Sequence, residues 1–77
     1  MKIIFSSHAL AKMGQRHISR LLVRETVVNA NFVRPSYGLR EERYKKFGQN
    51  YLKTVVKIED KQIVVITAHW IAKVKDK

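Results

Sequence analysis

The spacing of apolar residues changes abruptly near Asn31 of this 77-residue chain. Before Asn31, apart from a short apolar stretch at Lys2–Phe5, apolar residues recur at helical intervals, and after it they alternate with polar residues. A period near 3.6 is typical of an amphipathic helix, whereas a period of two is typical of a strand with one buried face. The sequence therefore predicts helices in the first half of the chain and a sheet in the second half.

The predicted order of elements is one strand, two helices and about four further strands. Lys2–Phe5 is the first strand, Ser6 or Ser7 caps a helix over residues 8–15, and Ser19 caps a second helix over residues 20–29. The later strands are expected at residues 32–34, 42–47, 51–58 and 63–70. Because three of them are linked as hairpins, we expect an α+β fold with the two helices on one side of an antiparallel sheet.

A single domain is all that this length supports. The chain has no cysteine, so its apolar residues, which make up 45% of the total, must supply the stability. We expect one domain over residues 1–77, with residues 73–77 as a frayed end. No apolar run approaches the roughly 20 residues of a membrane helix, and residues 1–5 are too short for an export signal. A cytoplasmic protein without membrane association is the expectation.

Positive charge is the strongest feature of the composition. Sixteen Lys and Arg oppose six Asp and Glu, which gives a net charge of +10, and the first acidic residue is Glu25. A field of this sign attracts polyanions. A basic surface kept for solubility is the plainer reading, but the charge density favours nucleic acid or an acidic protein as the partner, and RNA is our first expectation.

A basic and aromatic face is predicted on the sheet. Alternation over residues 51–58 places Tyr51 and Lys53 on the face opposite Leu52. Aromatic rings stack on bases and cations hold phosphates, although a solvated outer face has the same pattern. Tyr44, on the preceding strand, either stacks on a base or packs on the helices. The residues expected to bind nucleic acid are Lys12, Arg16, Arg43, Lys45, Lys53 and Lys57.

Histidine is the side chain best suited to proton transfer in RNA cleavage. The reaction needs a base for the 2′-OH, a cation for the phosphate and an acid for the leaving oxygen. Histidine suits both proton roles because it titrates near neutral pH. His8 opens the first helix and His69 ends the last strand, points that can be neighbours in an α+β domain. We predict His8 as the base, since Lys12 lies one turn away and a cation lowers a histidine pKa, and His69 as the acid.

Each histidine also has a purely structural interpretation, in which His8 caps its helix and His69 packs beside Trp70. No metal site and no cofactor are expected. The histidines His8, His17 and His69 are scattered, and no glycine-rich phosphate loop is visible.

The second helix carries two apolar stripes. Val23, Val27 and Ala30 form one stripe, and Leu21 and Val28 form another on a different side. One stripe is enough to reach the core. The second is either a wide buried face or a docking surface, and we predict that Leu21 and Val28 bind a protein partner.

Several short motifs lie along the chain: Phe5-Ser6-Ser7-His8-Ala9-Leu10-Ala11-Lys12-Met13, Arg16, Ile18-Ser19, Val23, Asn29 and the apolar last strand Ile63-Val64-Val65-Ile66-Thr67-Ala68-His69-Trp70. With these motifs the chain resembles, over nearly its whole length, an uncharacterised family of small toxin-like domains, a domain of unknown function. That family is similar to the RelE, ParE and BrnT toxins of bacterial toxin–antitoxin pairs. The resemblance implies a RelE/ParE-like fold and a metal-independent endoribonuclease, acting on free or ribosome-bound RNA and neutralised by an acidic antitoxin.

The chain departs from the family's pattern at several positions. Lysine replaces arginine at Lys12, histidine replaces glycine at His17, alanine replaces proline at Ala30, histidine stands where tyrosine is common at His69, and leucines replace polar residues at Leu21 and Leu22. A proton-transfer group on the last strand survives the exchange of tyrosine for histidine. Because many members have no demonstrated activity, two alternatives stay open: a nonenzymatic nucleic-acid-binding protein, and an interaction module whose basic face meets an acidic protein.

Overall fold

The computed structural model describes residues 1–74, so the predicted frayed end lies mostly outside the described residues. The elements are β1 (Lys2–Phe5), α1 (Ser7–Arg16), α2 (Arg20–Val28), β2 (Phe32–Pro35), β3 (Arg40–Phe47), β4 (Asn50–Ile58) and β5 (Gln62–Ile71). This is the predicted α+β order, and each predicted helix is correct to within one residue at either end. No helix among residues 1–74 is long and apolar enough to span a bilayer.

The five strands form one mixed sheet in the order β1-β5-β4-β3-β2. Strands β2 to β5 form an antiparallel meander, but the sheet has five strands where about four were expected. Strand β1 adds a fifth strand, which pairs in parallel with β5. The expectation of a wholly antiparallel sheet is therefore wrong at β1. Two helices follow β1 directly, so it has no hairpin partner and instead meets the distant β5 in parallel.

Serine side chains start both helices. Ser6 Oγ accepts a hydrogen bond from a backbone N–H of the first turn of α1 at 3.0 Å, and Ser19 Oγ does the same for α2 at 3.2 Å. After α1 the chain turns at His17, which has a φ of 55°, and Ile18 N donates back to Met13 O at 2.9 Å. A left-handed residue other than glycine costs roughly 1–2 kcal/mol, so glycine would be less strained than histidine at this turn.

Both helices pack on the same face of the sheet, and the core lies between them and β4 and β5. The buried apolar residues are Ala9, Met13, Ile18, Val23, Val27, Leu52, Val56, Ile63, Val65 and Ala68. Leu10, which the helical spacing pairs with Met13, is instead 36% exposed. Ala9 takes its place, one turn before Met13, because a small side chain lets the helix approach the sheet closely.

The two stripes of α2 have different environments. Val23 and Val27 are buried, so the first stripe forms part of the core as predicted. Leu21 is 78% exposed and Val28 is 63% exposed. The second stripe is therefore not a wider buried face.

The sheet face opposite the helices, which we call the open face, is basic and aromatic. No helix among residues 1–74 packs on it. Tyr51, Lys53 and Lys57 lie there, opposite the buried Leu52 and Val56, as the alternation predicts. The open face is therefore the natural place to look for a binding site.

Candidate functional site

Four side chains form a row across the open face, perpendicular to the strands. The register places Phe32 beside Tyr44, Tyr44 beside Lys53, and Lys53 beside His69. Residues directly opposite each other on antiparallel strands share a face, with Cβ atoms roughly 4.5–5.5 Å apart. The row therefore crosses three strand spacings, about 14 Å, from the edge strand β2 to β5.

Tyr44 is the most deeply buried side chain of this row and is only 4% exposed. Its hydroxyl donates to Glu42 Oε1 at 2.8 Å. The Arg34 guanidinium lies 5.6 Å and the Lys53 amine 6.0 Å from the ring centre. Burial, followed by the Glu42 carboxylate, raises the pKa of Tyr44 to about 12. Tyr44 is thus covered by cations, packs on neither helix, and keeps its proton at neutral pH.

Lys53 occupies the centre of the open face. Its Nζ lies 3.8 Å from Glu42 Oε2, so the Glu42 carboxylate holds the Tyr44 hydroxyl and the Lys53 amine together. Lys53 stands directly beside His69 in the β4–β5 register. An ammonium in this position can contact an anion bound next to the imidazole.

Arg16 reaches the open face around the edge of β5. Strand β1 ends at Phe5 opposite Val65, so beyond that point no strand among the described residues 1–74 flanks β5 on this side. Arg16, at the end of α1, fills the gap: its Nη1 donates to Ala68 O at 2.8 Å and to Thr67 Oγ1 at 3.3 Å. Thr67 is on the open face, so the guanidinium lies at the rim of that face.

His69 lies between these two cations. Partial burial, then Lys53, then Arg16 lower the pKa of His69 below its usual value of 6.5. The imidazole is therefore neutral at pH 7 and can accept a proton. The sequence assigned the acid role to His69 and the base role to His8, but the cations that favour a base are beside His69.

The structure does not bring His8 and His69 together. His8 is exposed in the first turn of α1, on the helix side of the sheet. The start of α1 is fixed beside Val65, where Ser6 N donates to Val65 O at 3.1 Å. His69 lies four residues further along β5, about 13 Å at the usual rise per residue, with its side chain on the other face. The two histidines cannot act on one phosphate in this arrangement.

A family model described as a domain of unknown function, DUF4258, matches residues 5–70. The chain belongs to this family. No curated protein and no solved structure matches it. The predicted membership of a family of unknown function is thus confirmed, and the DUF4258 match contains every open-face residue described above, from Arg16 to His69.

Two of the six predicted RNA-binding residues of the DUF4258 domain are on the other side of the sheet. Arg43 Nη1 donates to Val27 O at 2.7 Å, and its Nη2 contacts Glu41 Oε1 at 2.7 Å. Lys45 Nζ donates to Asn29 O at 3.2 Å. Cations are favoured at the last carbonyls of a helix. Arg43 and Lys45 therefore fasten the end of α2 to β3, and they do not contribute to the open face.

The remaining predicted residues are divided between two regions. Lys53 and Lys57 are on the open face and Arg16 is at its rim, whereas Lys12 is half-buried on α1. Lys57 lies toward one end of the sheet, with its Nζ 4.0 Å from Glu59 Oε2. The structure therefore gathers Arg16, Lys53 and His69 from the predicted set.

Sequence reasoning missed several open-face residues of the DUF4258 domain: Phe32, Arg34, Glu42 and Thr67. Phe32 and Arg34 are two apart in β2, so alternation alone puts them on one face. Their neighbours across the sheet follow only from the strand register, which the sequence did not supply.

Proposed function

We propose that this DUF4258 domain binds RNA on its open face and cleaves it with its own side chains, as a toxin-like endoribonuclease. The observation that carries the proposal is the position of neutral His69 between the cations Lys53 and Arg16. A net charge of +10 draws RNA to the domain. The row from Phe32 to His69 then offers cations for phosphates and, at Phe32, an exposed aromatic ring for a base.

In the proposed reaction, His69 accepts the proton of a ribose 2′-OH. The 2′ oxygen forms a bond to phosphorus, and the bond from phosphorus to the 5′ oxygen of the next nucleotide breaks. Lys53 and Arg16 stabilise the negative charge on the non-bridging oxygens. The departing 5′ oxygen takes a proton from solvent, so the products are a 2′,3′-cyclic phosphate and a 5′-hydroxyl. Tyr44, with a pKa of about 12, is poorly suited to supply that proton.

RNA binding is expected to weaken steeply with salt. Counterion release gives a slope of log affinity against log salt of about −0.7 for each neutralised phosphate on a single strand. Replacing Lys53 with methionine should make the slope less negative by about that amount. Fluorescence titrations of a short single-stranded RNA at several salt concentrations measure both slopes. Lys61→Met, in the turn between β4 and β5, is the charge-matched control. An affinity independent of salt would rule out this mode of binding.

Binding without cleavage is the second candidate function. It is favoured by the state of Tyr44, which keeps its proton and leaves His69 as the one group of the row suited to proton transfer near neutral pH. Incubating the pure protein with RNA in chelator, alone and with ribosomes, separates the two functions. Intact RNA in both reactions would favour the binding protein.

The likeness to RelE, ParE and BrnT toxins adds a protein partner to the proposal. Leu21 and Val28 are largely exposed on α2, which gives an acidic antitoxin an apolar stripe on a basic domain. Replacing Leu21 with lysine should leave the melting temperature unchanged, because the side chain is already in water. It should weaken co-purification with a small acidic protein encoded beside this gene, whereas Leu39→Lys, at an exposed leucine outside α2, should not. A large drop in melting temperature for Leu21→Lys would contradict this assignment.

A further inference from the structure

Two aromatic rings lie side by side on the open face: Phe32, at the β2 end of the row, and Tyr51, which is next to the row on β4. The ring centres of Phe32 and Tyr51 are 6.0 Å apart, with 42° between the planes. Phe32 is 45% exposed although it is a large apolar residue, and Tyr51 is half-buried. Unlike Tyr44, which is covered by cations, this pair presents ring surface to solvent.

The aromatic pair lies about one nucleotide away from Lys53, the cation proposed to contact a phosphate. Tyr51 and Lys53 are two residues apart on β4 and point to the same face, a separation of about 7 Å. Lys46 stands opposite Tyr51 on β3 and is exposed. A nucleotide whose phosphate contacts Lys53 can therefore reach Tyr51 and Phe32 with its own base or the neighbouring one, and Lys46 can contact the next phosphate.

We infer that Phe32 and Tyr51 form a base-stacking subsite that restricts the open face to unpaired RNA. This inference rests on the proposed function and adds its substrate selectivity. A base must leave its duplex to lie on an aromatic ring, so double-stranded RNA contacts the cations but not the subsite. Stacking tolerates any base, so the subsite selects for strandedness with little preference for sequence.

The contributions of the subsite and of the cations to RNA affinity can be measured separately. Removing a stacking ring takes away about 1–3 kcal/mol per base, which corresponds to roughly 5- to 150-fold in affinity. It neutralises no phosphate contact, so the salt dependence of binding stays as it was. Removing Lys53 changes the salt dependence. A purely structural role for Phe32 would alter neither quantity as long as the domain stays folded.

The experiment is a titration of a short single-stranded RNA carrying 2-aminopurine, whose fluorescence falls when the base stacks. Phe32→Ala and Tyr51→Leu should each weaken binding about five-fold or more, reduce the quenching, and leave the salt slope unchanged. Both variants should lose most of the preference for single-stranded over double-stranded RNA. Tyr37→Ala removes a more exposed ring from the β2–β3 loop and should change none of these. Circular dichroism confirms that each variant is folded.

The outcomes separate this inference from the function on which it rests. The unmodified protein could bind RNA in a salt-dependent way while Phe32→Ala and Tyr51→Leu keep its affinity and quenching. That result overturns the subsite but not the proposed binding of phosphate by Lys53 and Arg16. A failure of the unmodified protein to bind RNA overturns both. Equal affinity of the unmodified protein for single- and double-stranded RNA also overturns the subsite.

Discussion

Replacing His69 with alanine is expected to lower the rate constant of RNA cleavage by about 10²-fold or more, with little change in RNA affinity. His69 is the neutral imidazole between Lys53 and Arg16, and its loss removes the base while leaving both cations in place. Single-turnover cleavage of a short RNA in chelator measures the rate constant, and a titration of the same RNA measures the affinity.

The matched variant is His8→Ala. His8 is exposed on α1, on the side of the sheet away from His69, so its loss should leave the cleavage rate within a factor of two or so, a small change next to the typical size of a general-base effect. Full activity in His69→Ala would eliminate the mechanism. A selective loss of activity in His8→Ala would return the base role to the first helix.

The pH dependence of the same rate follows from the lowered pKa of His69. A base works in its deprotonated form, so the rate should be constant at neutral pH and fall as the pH drops through the pKa of His69, below the usual histidine value of 6.5. Lys53→Met removes the larger of the two charge effects on His69. In that variant the fall should begin at a higher pH, which a pH–rate profile of both proteins measures.

Replacing Arg43 with methionine is expected to lower the free energy of unfolding by about 2 kcal/mol, which shifts the melting temperature of a domain this size by roughly 10 °C. The half-buried guanidinium contacts both Val27 O and Glu41 Oε1, and methionine fills its space without donating a hydrogen bond. The Glu41 carboxylate then loses its cation and Val27 O its hydrogen bond, which leaves Lys45 as the cation at the end of α2. Thermal unfolding followed by circular dichroism measures the shift.

Lys53→Met is the control for this loss of stability. The pair that Lys53 forms with Glu42 is long, at 3.8 Å, and such partly exposed pairs contribute at most about 1 kcal/mol. We therefore expect Lys53→Met to weaken RNA binding more than stability, and Arg43→Met to do the reverse at temperatures where it is folded. Unchanged melting with weaker RNA binding in Arg43→Met would contradict the structural role.

The sequence predicts correctly which face of β4 is buried, because apolar and polar residues alternate along that strand. Leu52 and Val56 are apolar and alternate with Tyr51 and Lys53, so the buried face can be identified without knowing the neighbours. The first apolar stripe of α2, with Val23 and Val27, is predicted correctly for the same reason. In these segments, burial of apolar surface decides the orientation, and that preference is local to the element.

Strand β3 does not show this alternation of apolar and polar residues. Its sequence from residue 40 to residue 46 is charged except for Tyr44, so alternation cannot show which cations face the helices. Arg43 and Lys45 face them because the end of α2 presents carbonyl oxygens at that place. This follows from the position of one element against another, which no local pattern contains.

The separation of His8 from His69 has a similar origin. Both histidines are near the ends of their elements, and the sequence identifies those ends correctly. Their distance depends on where β1 stops against β5, which the bond between Ser6 N and Val65 O fixes. A different register would have placed the start of α1 elsewhere along β5.

The position of β5 between β1 and β4 also determines when this domain can fold during its synthesis. Every other element leaves the ribosome before β5, yet β1 pairs with no other strand and α1 packs mainly on β5. The nascent chain therefore carries an unpaired first strand and an unburied helix until about residue 71 has emerged. Strand β5 also carries His69, so the site is complete only after β5 has paired with β1 and β4.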